Sequence, residues 1–364
     1  MTGALDGLRI VALEQAVAAP FATARLADAG ALVEKFERPG GDFARGYDAA
    51  AAGQSSYFVW LNRGKVSIVA DLMTADGMAR LKQSLAQADV LVCNLKPGAL
   101  GRMGLGADVL RADYPRLIVC SITGYGETGP LAQRKAYDLL VQAESGLSSI
   151  TGGPDGPARV GTSVVDIATG ATAHAAILEA LIARGISGTA RHIAVSLFDV
   201  MAEWLTVPLL NHEAGQTPQR NGLRHPSIAP YGVFDCADGG QVLISIQSDR
   251  EWAVLCDRVL GAPDLAQDSQ LATNVARVRN RDRTDALVGA ALGAMTAADA
   301  VTALDAAQIA FARVNDMQSL SQHPHLRRIT LDTPNGSVAL PAPGAMVAGD
   351  SPVYGPVPAL PTTE

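Results

Sequence analysis

The chain has 364 residues, which is long for one compact domain and indicates two. Hydrophobic residues make up 48% of the sequence and charged residues 18%, so we expect a large core, and global disorder is disfavoured. The 29 basic and 36 acidic residues give a net charge of −7, which argues against a general attraction to nucleic acid or to an anionic membrane. A local basic pocket for an anion remains open.

The cysteines also indicate the class of protein. Cys93, Cys120, Cys236 and Cys256 are far apart and form no CxxC pair. Cys93 and Cys120 lie in apolar runs typical of buried strands, so reduced core thiols and a cytoplasmic protein are expected. The sequence shows no signal-peptide pattern, its apolar stretches are interrupted before bilayer-spanning length, and its six histidines lack metal-ligand spacing. We therefore expect no metal site, membrane partner or nucleic-acid partner.

The first half of the chain alternates short apolar runs with helical patterns. Strands are predicted at 8–13, 31–36, 66–72, 90–94, 117–122 and 193–199, and helices at 19–29, 75–86, 105–111 and 167–184. Near-continuously apolar strands alternating with helices are typical of a parallel sheet covered on both faces. The pattern predicts a doubly wound, Rossmann-like α/β fold, which binds ligands at the carboxyl ends of its strands.

The second half has a different texture. Residues 211–231 are rich in Gly, Pro and polar side chains and predict a linker or irregular segment. A β-hairpin is predicted at 233–246 around an Asp-Gly-Gly turn, followed by helices near 251–259, 283–294 and 297–307. Residues 328–340 predict further strand structure. This region is therefore expected to be α+β.

The turn after the first strand tests a dinucleotide-binding interpretation. It reads EQAVAAP, without the GxGxxG glycines that let a pyrophosphate approach a helix N-terminus. The prediction of a doubly wound fold therefore stands, but the missing glycines argue against a nicotinamide or flavin cofactor.

Six segments in chain order carry a resemblance to a known family. They are LDGLRIVALEQAVAAPFATARLADAGALVEKFERPGGD, LNRGKVSIVADL, VLVCNLKPGALGRMGLG, PRLIVCSITGYGETGP, AYDLLVQAESGLSSITG and VGTSVVDIATG. Together they resemble the family III CoA-transferases, which include formyl-CoA transferase and α-methylacyl-CoA racemase, and the resemblance covers nearly the whole chain. It implies a large domain from residues 1–210 and 326–364, a linker with a small α+β domain from 211–325, and an interlocked homodimer.

The resemblance assigns the nucleophile to Asp166. In the family such a carboxylate attacks an acyl-CoA thioester and passes through an anhydride and an enzyme–CoA thioester, from which water is excluded. An ordinary Asp pKa of about 3.9 would leave the side chain ionised at neutral pH, so no general base is needed. Taken alone, the residue also fits an N-cap of the helix that follows it.

Two neighbours complete the predicted catalytic set. Asp138 matches a position where some transferases carry a second carboxylate, which would orient the acceptor or tune Asp166; a surface or capping role is equally open. Tyr137 stands where the racemase branch has a histidine that moves an α-proton. Because a phenol with a pKa of about 10 is a poor base for that step, Tyr137 argues against a racemase.

The resemblance also implies contacts with CoA, which would be a substrate, with no tightly bound cofactor. Arg38 would meet the nucleotide, Lys135 a phosphate, and Met73 stands where some relatives have a phosphate-binding lysine. Each cation taken alone also fits a solvated surface charge. The predicted set is Val17, Ala18, Arg38, Ala70, Asp71, Leu72, Met73, Asn94, Leu95, Lys96, Arg102, Met103 and Lys135.

The substrate acid is predicted from the segment RNGLRHPSIAPY. Its Arg220, Arg224 and His225 resemble the branch that acts on C4–C5 dicarboxylates such as mesaconate, itaconate, citramalate or succinate, whose distal charge a cation would bind. A solvated linker is the alternative. For the whole chain, the alternatives to a CoA-transferase are an acyl-CoA racemase or isomerase on the same fold, and a non-catalytic CoA-binding protein.

Overall fold

The structure is a computed structural model that describes residues 3–349 and 352–361. The chain divides into two compact units. The first comprises the chain up to Ser148, Arg159–Leu209 and the chain from Arg327 onward; the second comprises Ser149–Ala158 and Leu210–Leu326.

One segment differs from the predicted large domain. Residues 149–158 belong to the second unit because their backbone accepts hydrogen bonds there. Gly222 N donates to Gly152 O at 2.9 Å, and Arg220 Nε donates to Gly153 O at 3.1 Å.

The described strands and helices have the following bounds. The strands are β1 (Arg9–Leu13), β2 (Leu32–Glu37), β3 (Lys65–Val69), β4 (Val90–Cys93), β5 (Ile118–Thr123), β6 (His192–Ser196), β7 (Tyr231–Asp235), β8 (Gln241–Ser245), β9 (Ala310–Arg313), β10 (Arg328–Thr333) and β11 (Gly336–Pro341). The helices are α1 (Ala18–Asp28), α2 (Ser56–Asn62), α3 (Ala75–Leu85), α4 (Ala99–Arg102), α5 (Ala107–Asp113), α6 (Asp138–Glu144), α7 (Leu147–Ile150), α8 (Val164–Ser187), α9 (Leu197–Trp204), α10 (Thr206–Glu213), α11 (Asp249–Arg258), α12 (Asn274–Arg279), α13 (Arg281–Leu292), α14 (Ala297–Ala306) and α15 (Met317–Ser321).

Six parallel strands form the sheet of the first unit, in the order β3-β2-β1-β4-β5-β6. Strands β4 and β5 are buried along their whole length, which explains their continuously apolar sequences. The strand order reverses between β1 and β4, so the carboxyl ends of these strands border the crevice in which doubly wound folds bind ligands. The predicted α/β fold is confirmed.

Helices α1 and α8 cross closely on this sheet. A Cβ at Gly170 of α8 would lie 2.5 Å from Ala18 O and 2.9 Å from Phe21 Cβ of α1. Glycine is therefore required at the crossing, because a larger residue would meet backbone. By length and composition α8 could also span a membrane, contrary to the expectation from the sequence, but its buried residues, among them Ala173 and Ile177, lie in the core.

Two element boundaries correct the sequence predictions. The strand predicted at 193–199 ends at Ser196, because the Ser196 hydroxyl accepts a hydrogen bond from Asp199 N and begins α9 there. Helix α8 begins at Val164, so Asp166 lies inside its first turn and is not its N-cap.

The second unit contains the antiparallel sheet β7-β8-β9 with helices around it. The hairpin predicted at 233–246 is confirmed as β7 and β8. Strand β9 was not predicted because it is only four residues long, too short for its sequence to distinguish a strand from the end of the helical pattern before it. The core includes fully buried Trp252 and Arg277, whose guanidinium is 5.2 Å from the Trp252 ring and donates to Asp249 at 2.8 Å.

Candidate active site

A cavity of about 590 Å³ lies at the carboxyl ends of the strands in the first unit. Its lining brings together residues that are distant in sequence but were all predicted for the site. They are Val17, Ala18, Asn94, Leu95, Lys96, Lys135, Tyr137, Asp138 and Asp166.

Asn94 joins the two strand ends that border the crevice. Its side-chain Nδ2 donates to Gln15 O at 2.8 Å, and its Oδ1 accepts from Gln15 N at 3.0 Å. The Asn94 amide thus holds the turn after β1 beside the turn after β4. It was predicted as a CoA contact, and it shapes the cavity as well as lining it.

The turn after β1 has an unusual backbone. Ala16 lies in the left-handed region with φ of 63°, which disfavours residues other than glycine. Its N–H donates to Asp42 Oδ1 at 3.3 Å, and Ala44 N donates to the same oxygen at 2.9 Å. Buried Asp42 therefore helps to hold the turn that presents Val17 and Ala18 to the cavity.

Asp42 belongs to a buried charge network behind that turn, which comprises Glu14, Lys35, Asp42 and Lys65. Lys35 Nζ is 2.8 Å from Asp42 Oδ2, and Lys65 Nζ is 2.6 Å from Glu14 Oε1. Burial raises the pKa of Glu14, but the Lys65 and Lys35 charges more than offset it, so the pKa is lowered. The network balances two carboxylates with two ammonium groups.

The predicted nucleophile, Asp166, is held by its carboxylate neighbour. Asp138 Oδ1 accepts hydrogen bonds from Val165 N at 2.8 Å and from Asp166 N at 3.2 Å. These are N–H groups that the first turn of a helix leaves unsatisfied. Asp138 therefore caps α8 from α6, which is one of the roles left open by its sequence.

A third side chain fixes Asp138 in turn. Gln142 is fully buried, and its Nε2 donates to Asp138 Oδ2 at 2.7 Å. Its Oε1 accepts from Val160 N at 2.9 Å. Gln142 thus links the cap of α8 to the segment before that helix, and it was not singled out in the sequence.

The electrostatics of Asp166 differ from the sequence expectation. Burial, and secondly the negative charge of Asp138, raise the pKa of Asp166 to about 7. The assumption of an ordinary carboxyl pKa was wrong, because the sequence shows neither the burial nor the proximity of Asp138. At neutral pH the side chain is divided between its ionised and protonated forms.

Aromatic side chains form another part of the cavity lining: Phe43, Tyr47, Tyr57 and Tyr137. Tyr47 and Tyr57 meet edge to face at 5.6 Å, and the Tyr57 hydroxyl is 3.3 Å from Ser163 Oγ, at the start of α8. Burial first, and then nearby carboxylates including Asp166, raise the pKa of Tyr47 to about 12. Of these residues only Tyr137 was predicted; the others lie in segments without a motif.

A smaller cavity of about 240 Å³ lies at the ends of β2 and β3 and contains other predicted CoA contacts. Leu95 lines both cavities. Arg38 Nε donates to Gly41 O at 3.2 Å, and Met73 is 89% exposed. The predicted residues in this cavity are Arg38, Ala70, Asp71, Leu72, Met73 and Leu95.

Other predicted residues lie outside these two cavities. Arg102 ends α4 and is exposed, and Met103 packs against the core beside Leu105. In the second unit, Arg220 donates to Gly153 O and Ser149 O, and Arg224 lies 3.8 Å from Asp285.

His225 likewise makes its contacts inside the second unit. Its ring stacks on Tyr231 with centroids 5.2 Å apart. Among the residues that the structure describes, no group of three or more His, Cys, Asp or Glu side chains could hold a metal ion.

Comparisons with known proteins identify the family of the chain. The model of the family described as CoA-transferase family III matches residues 5–361. The chain is 38% identical over 351 residues to the acetyl-CoA:oxalate CoA-transferase of Acetobacter aceti, covering 95% of this chain and 90% of the relative. It is 37% identical over 348 residues to the succinate–glutarate CoA-transferase of Agrobacterium fabrum, covering 92% and 86%.

A solved structure shares the architecture. The crystal structure of a CaiB/BaiF family protein from Brucella suis aligns with a TM-score of 0.81 at 35% identity, covering 96% of this chain and 94% of that one. The family predicted from six sequence segments is thus confirmed over nearly the full length. The chain belongs to CoA-transferase family III and is an enzyme of that family.

Proposed function

We propose that this enzyme moves CoA from an acyl-CoA donor to a C4–C5 dicarboxylic acid, with Asp166 as the covalent nucleophile. The observation that carries the proposal is the placement of Asp166 in the first turn of α8, inside the cavity at the carboxyl ends of the parallel strands. The relatives named for succinate, glutarate and oxalate support a dicarboxylic substrate.

The reaction begins with attack by an Asp166 carboxylate oxygen on the thioester carbonyl carbon. The C–S bond breaks, CoA leaves as a thiolate, and the donor acyl group forms a mixed anhydride with Asp166. The thiolate then attacks the Asp166 carbonyl carbon. The donor acid leaves as a carboxylate, and an Asp166–CoA thioester remains.

The second half reverses these steps with the acceptor acid. The acceptor carboxylate attacks the Asp166–CoA carbonyl carbon and expels CoA as a thiolate. The acceptor and Asp166 are then joined as a mixed anhydride. Attack of the thiolate on the acceptor carbonyl releases the new acyl-CoA and restores the Asp166 carboxylate. No net proton is consumed, and each intermediate keeps its acyl bond only if water is excluded.

The surroundings of Asp166 support this chemistry. Helices α1 and α8 both begin at the cavity, and helix N-termini favour the negative charge that develops on oxygen in each addition step. The raised pKa indicates a carboxylate that is less stabilised than one in water, so it gains more on acylation. Asp138 holds the backbone of the nucleophile and acts as a positioning residue.

CoA is proposed to lie across the two neighbouring cavities that share Leu95. Arg38 in the smaller cavity and the exposed Lys96 and Lys135 in the larger one are suited to phosphate groups. CoA then enters and leaves as a substrate, and the cycle needs no tightly bound cofactor.

A homodimer is also proposed, interlocked as the family resemblance implies. Its support in this chain is a set of exposed large apolar side chains along α8 and after it: Ile182, Ile186, Trp204 and Val207, which are 59–84% exposed. Apolar surface of this kind marks protein interfaces. The buried free thiols of Cys93 and Cys120 support a cytoplasmic location.

Trapping of the intermediate tests the proposed function. The enzyme is incubated with succinyl-CoA and then with hydroxylamine, and its peptides are analysed by mass spectrometry. A hydroxamate on Asp166 supports the covalent route, whereas labelling of a different residue contradicts it. Transfer of CoA from succinyl-CoA to glutarate, without deuterium exchange at the α-carbon, supports a transferase; exchange without transfer would support a racemase.

A further inference from the structure

We propose that Arg159 binds the distal carboxylate of the dicarboxylic acid, an inference that rests on the proposed function. Arg159 lines the same cavity as Asp166 and lies in the segment just before α8. The predicted cations Arg220, Arg224 and His225 instead make their contacts within the second unit.

Four cationic side chains line the cavity: Lys96, Arg134, Lys135 and Arg159. Arg134 already has partners, since its NH1 and NH2 donate to the two carboxylate oxygens of Glu144 at 2.9 and 3.0 Å. Its guanidinium also lies 5.7 Å from the centre of the Tyr125 ring. Arg134 is therefore engaged with protein groups and is less suited to a substrate.

Arg159 is in a different state. Its Nε donates to Val160 O at 3.0 Å, while its two terminal nitrogens have no hydrogen-bond partner among residues 3–349 and 352–361. The guanidinium forms no ion pair with Asp138 or Asp166 among those residues. A planar guanidinium with free terminal nitrogens matches a carboxylate in a paired, parallel geometry that a lysine lacks.

The position of the Arg159 backbone relative to the proposed nucleophile is fixed by a chain of hydrogen bonds through the buried Gln142 side chain. The backbone N–H of Val160, the next residue, donates to Gln142, and Gln142 donates to Asp138. Asp138 then accepts from Asp166 N. Because each link is a direct hydrogen bond, the span between the Arg159 backbone and the nucleophile is set by the fold, as selection of a dicarboxylate by its length requires.

Matched acids test this inference. With one acyl-CoA donor, kcat/KM is measured for succinate and butyrate, and for glutarate and valerate; each pair has equal carbon number and differs in the distal carboxylate. In Arg159→Met we expect the ratio of the dicarboxylate to the monocarboxylate to fall about tenfold or more, because a charge-assisted contact is lost. In Arg159→Lys this ratio should fall less, because the positive charge is kept. Arg134→Met, the same change in the same cavity, should keep the wild-type ratio.

The outcomes separate the two levels of the proposal. If the wild-type enzyme transfers CoA but Arg159→Met keeps the wild-type ratio, or Arg134→Met lowers it equally, the role of Arg159 is refuted and the proposed function stands. If the wild-type enzyme transfers CoA to none of the acids and hydroxylamine does not label Asp166, the proposed function itself fails. Circular dichroism of all three variants confirms that the comparison is made on folded protein.

Discussion

Two groups of acidic side chains lie at the same edge of the sheet and meet opposite electrostatic conditions. In the buried charge network, Glu14 is in contact with two ammonium groups, and its pKa is lowered despite complete burial. Asp166 is largely buried and has a carboxylate as its charged neighbour, and these two conditions raise its pKa to about 7. The difference shows that, within one fold, balanced buried charges keep a carboxylate ionised and fix a turn, whereas burial beside a like charge leaves Asp166 partly protonated at neutral pH.

Replacing Asp166 and Glu14 one at a time should show the largest difference between the two groups of acidic side chains. We expect Asp166→Ala to lower the transfer rate by about 10⁴-fold or more while the protein remains folded, because removal of a nucleophile eliminates the covalent route. Steady-state transfer assays with circular dichroism check this outcome. Residual transfer within tenfold of the wild type would show that another group forms the intermediate.

Glu14→Gln should instead lower the stability of the folded protein. It leaves Lys35 and Lys65 buried with one carboxylate, Asp42, between them, and breaking a buried pair costs about 3–5 kcal/mol in the free energy of unfolding. Urea denaturation measures the change. Asp108→Asn is the control, since Asp108 pairs with Arg111 at the surface, where a pair contributes about 0–1 kcal/mol. Equal effects of the two substitutions would contradict a structural role for the network.

A smaller effect is expected in how the stability contribution of Asp166 changes with pH. The folded pKa of Asp166 lies above that of the unfolded chain, so ionisation of Asp166 at higher pH destabilises the folded state. Asp166→Asn should therefore stabilise the protein at pH 8, by an amount that grows by about 1.4 kcal/mol per pH unit at most between the two pKa values. The gain should shrink as pH falls from 7 toward 5. Urea denaturation at several pH values provides the measurement, and a gain that is constant with pH would contradict it.

The smallest expected effect concerns Asp138. Asp138→Asn keeps an oxygen that can accept from Asp166 N but removes the negative charge, so the pKa of Asp166 should fall. In the wild type we expect transfer to decline as pH drops below about 7, because only the ionised carboxylate attacks. In the variant this decline should begin at lower pH. The profile of kcat/KM against pH checks the shift, and movement to higher pH would refute the proposed influence of Asp138.

The resemblance to family III, rather than a local pattern, supplied the site residues predicted from the sequence, and the fold explains why some of them lie together. Val17 and Asn94 come shortly after β1 and β4 of the parallel sheet, so the fold brings them to one edge. The continuously apolar sequences of β4 and β5 were enough to predict that these strands are buried.

The sequence could not show what depends on side-chain direction. Gln142 reads as an ordinary polar residue, yet it is fully buried and binds both Asp138 and Val160. The pKa of Asp166 depends first on its burial and secondly on Asp138, which lies 28 positions earlier in the chain. Arg159 has no motif around it, and the role proposed for it rests on the cavity that it lines and on its free guanidinium nitrogens.

The position of the proposed nucleophile depends on the absence of a side chain at Gly170. The helix that carries Asp166 rests directly on the backbone of α1 at Ala18, which itself borders the cavity. A methyl group at this crossing would act as a wedge and shift both helix starts together. The alignment of the proposed nucleophile with a substrate in the cavity would then change although no residue that lines the cavity had been replaced.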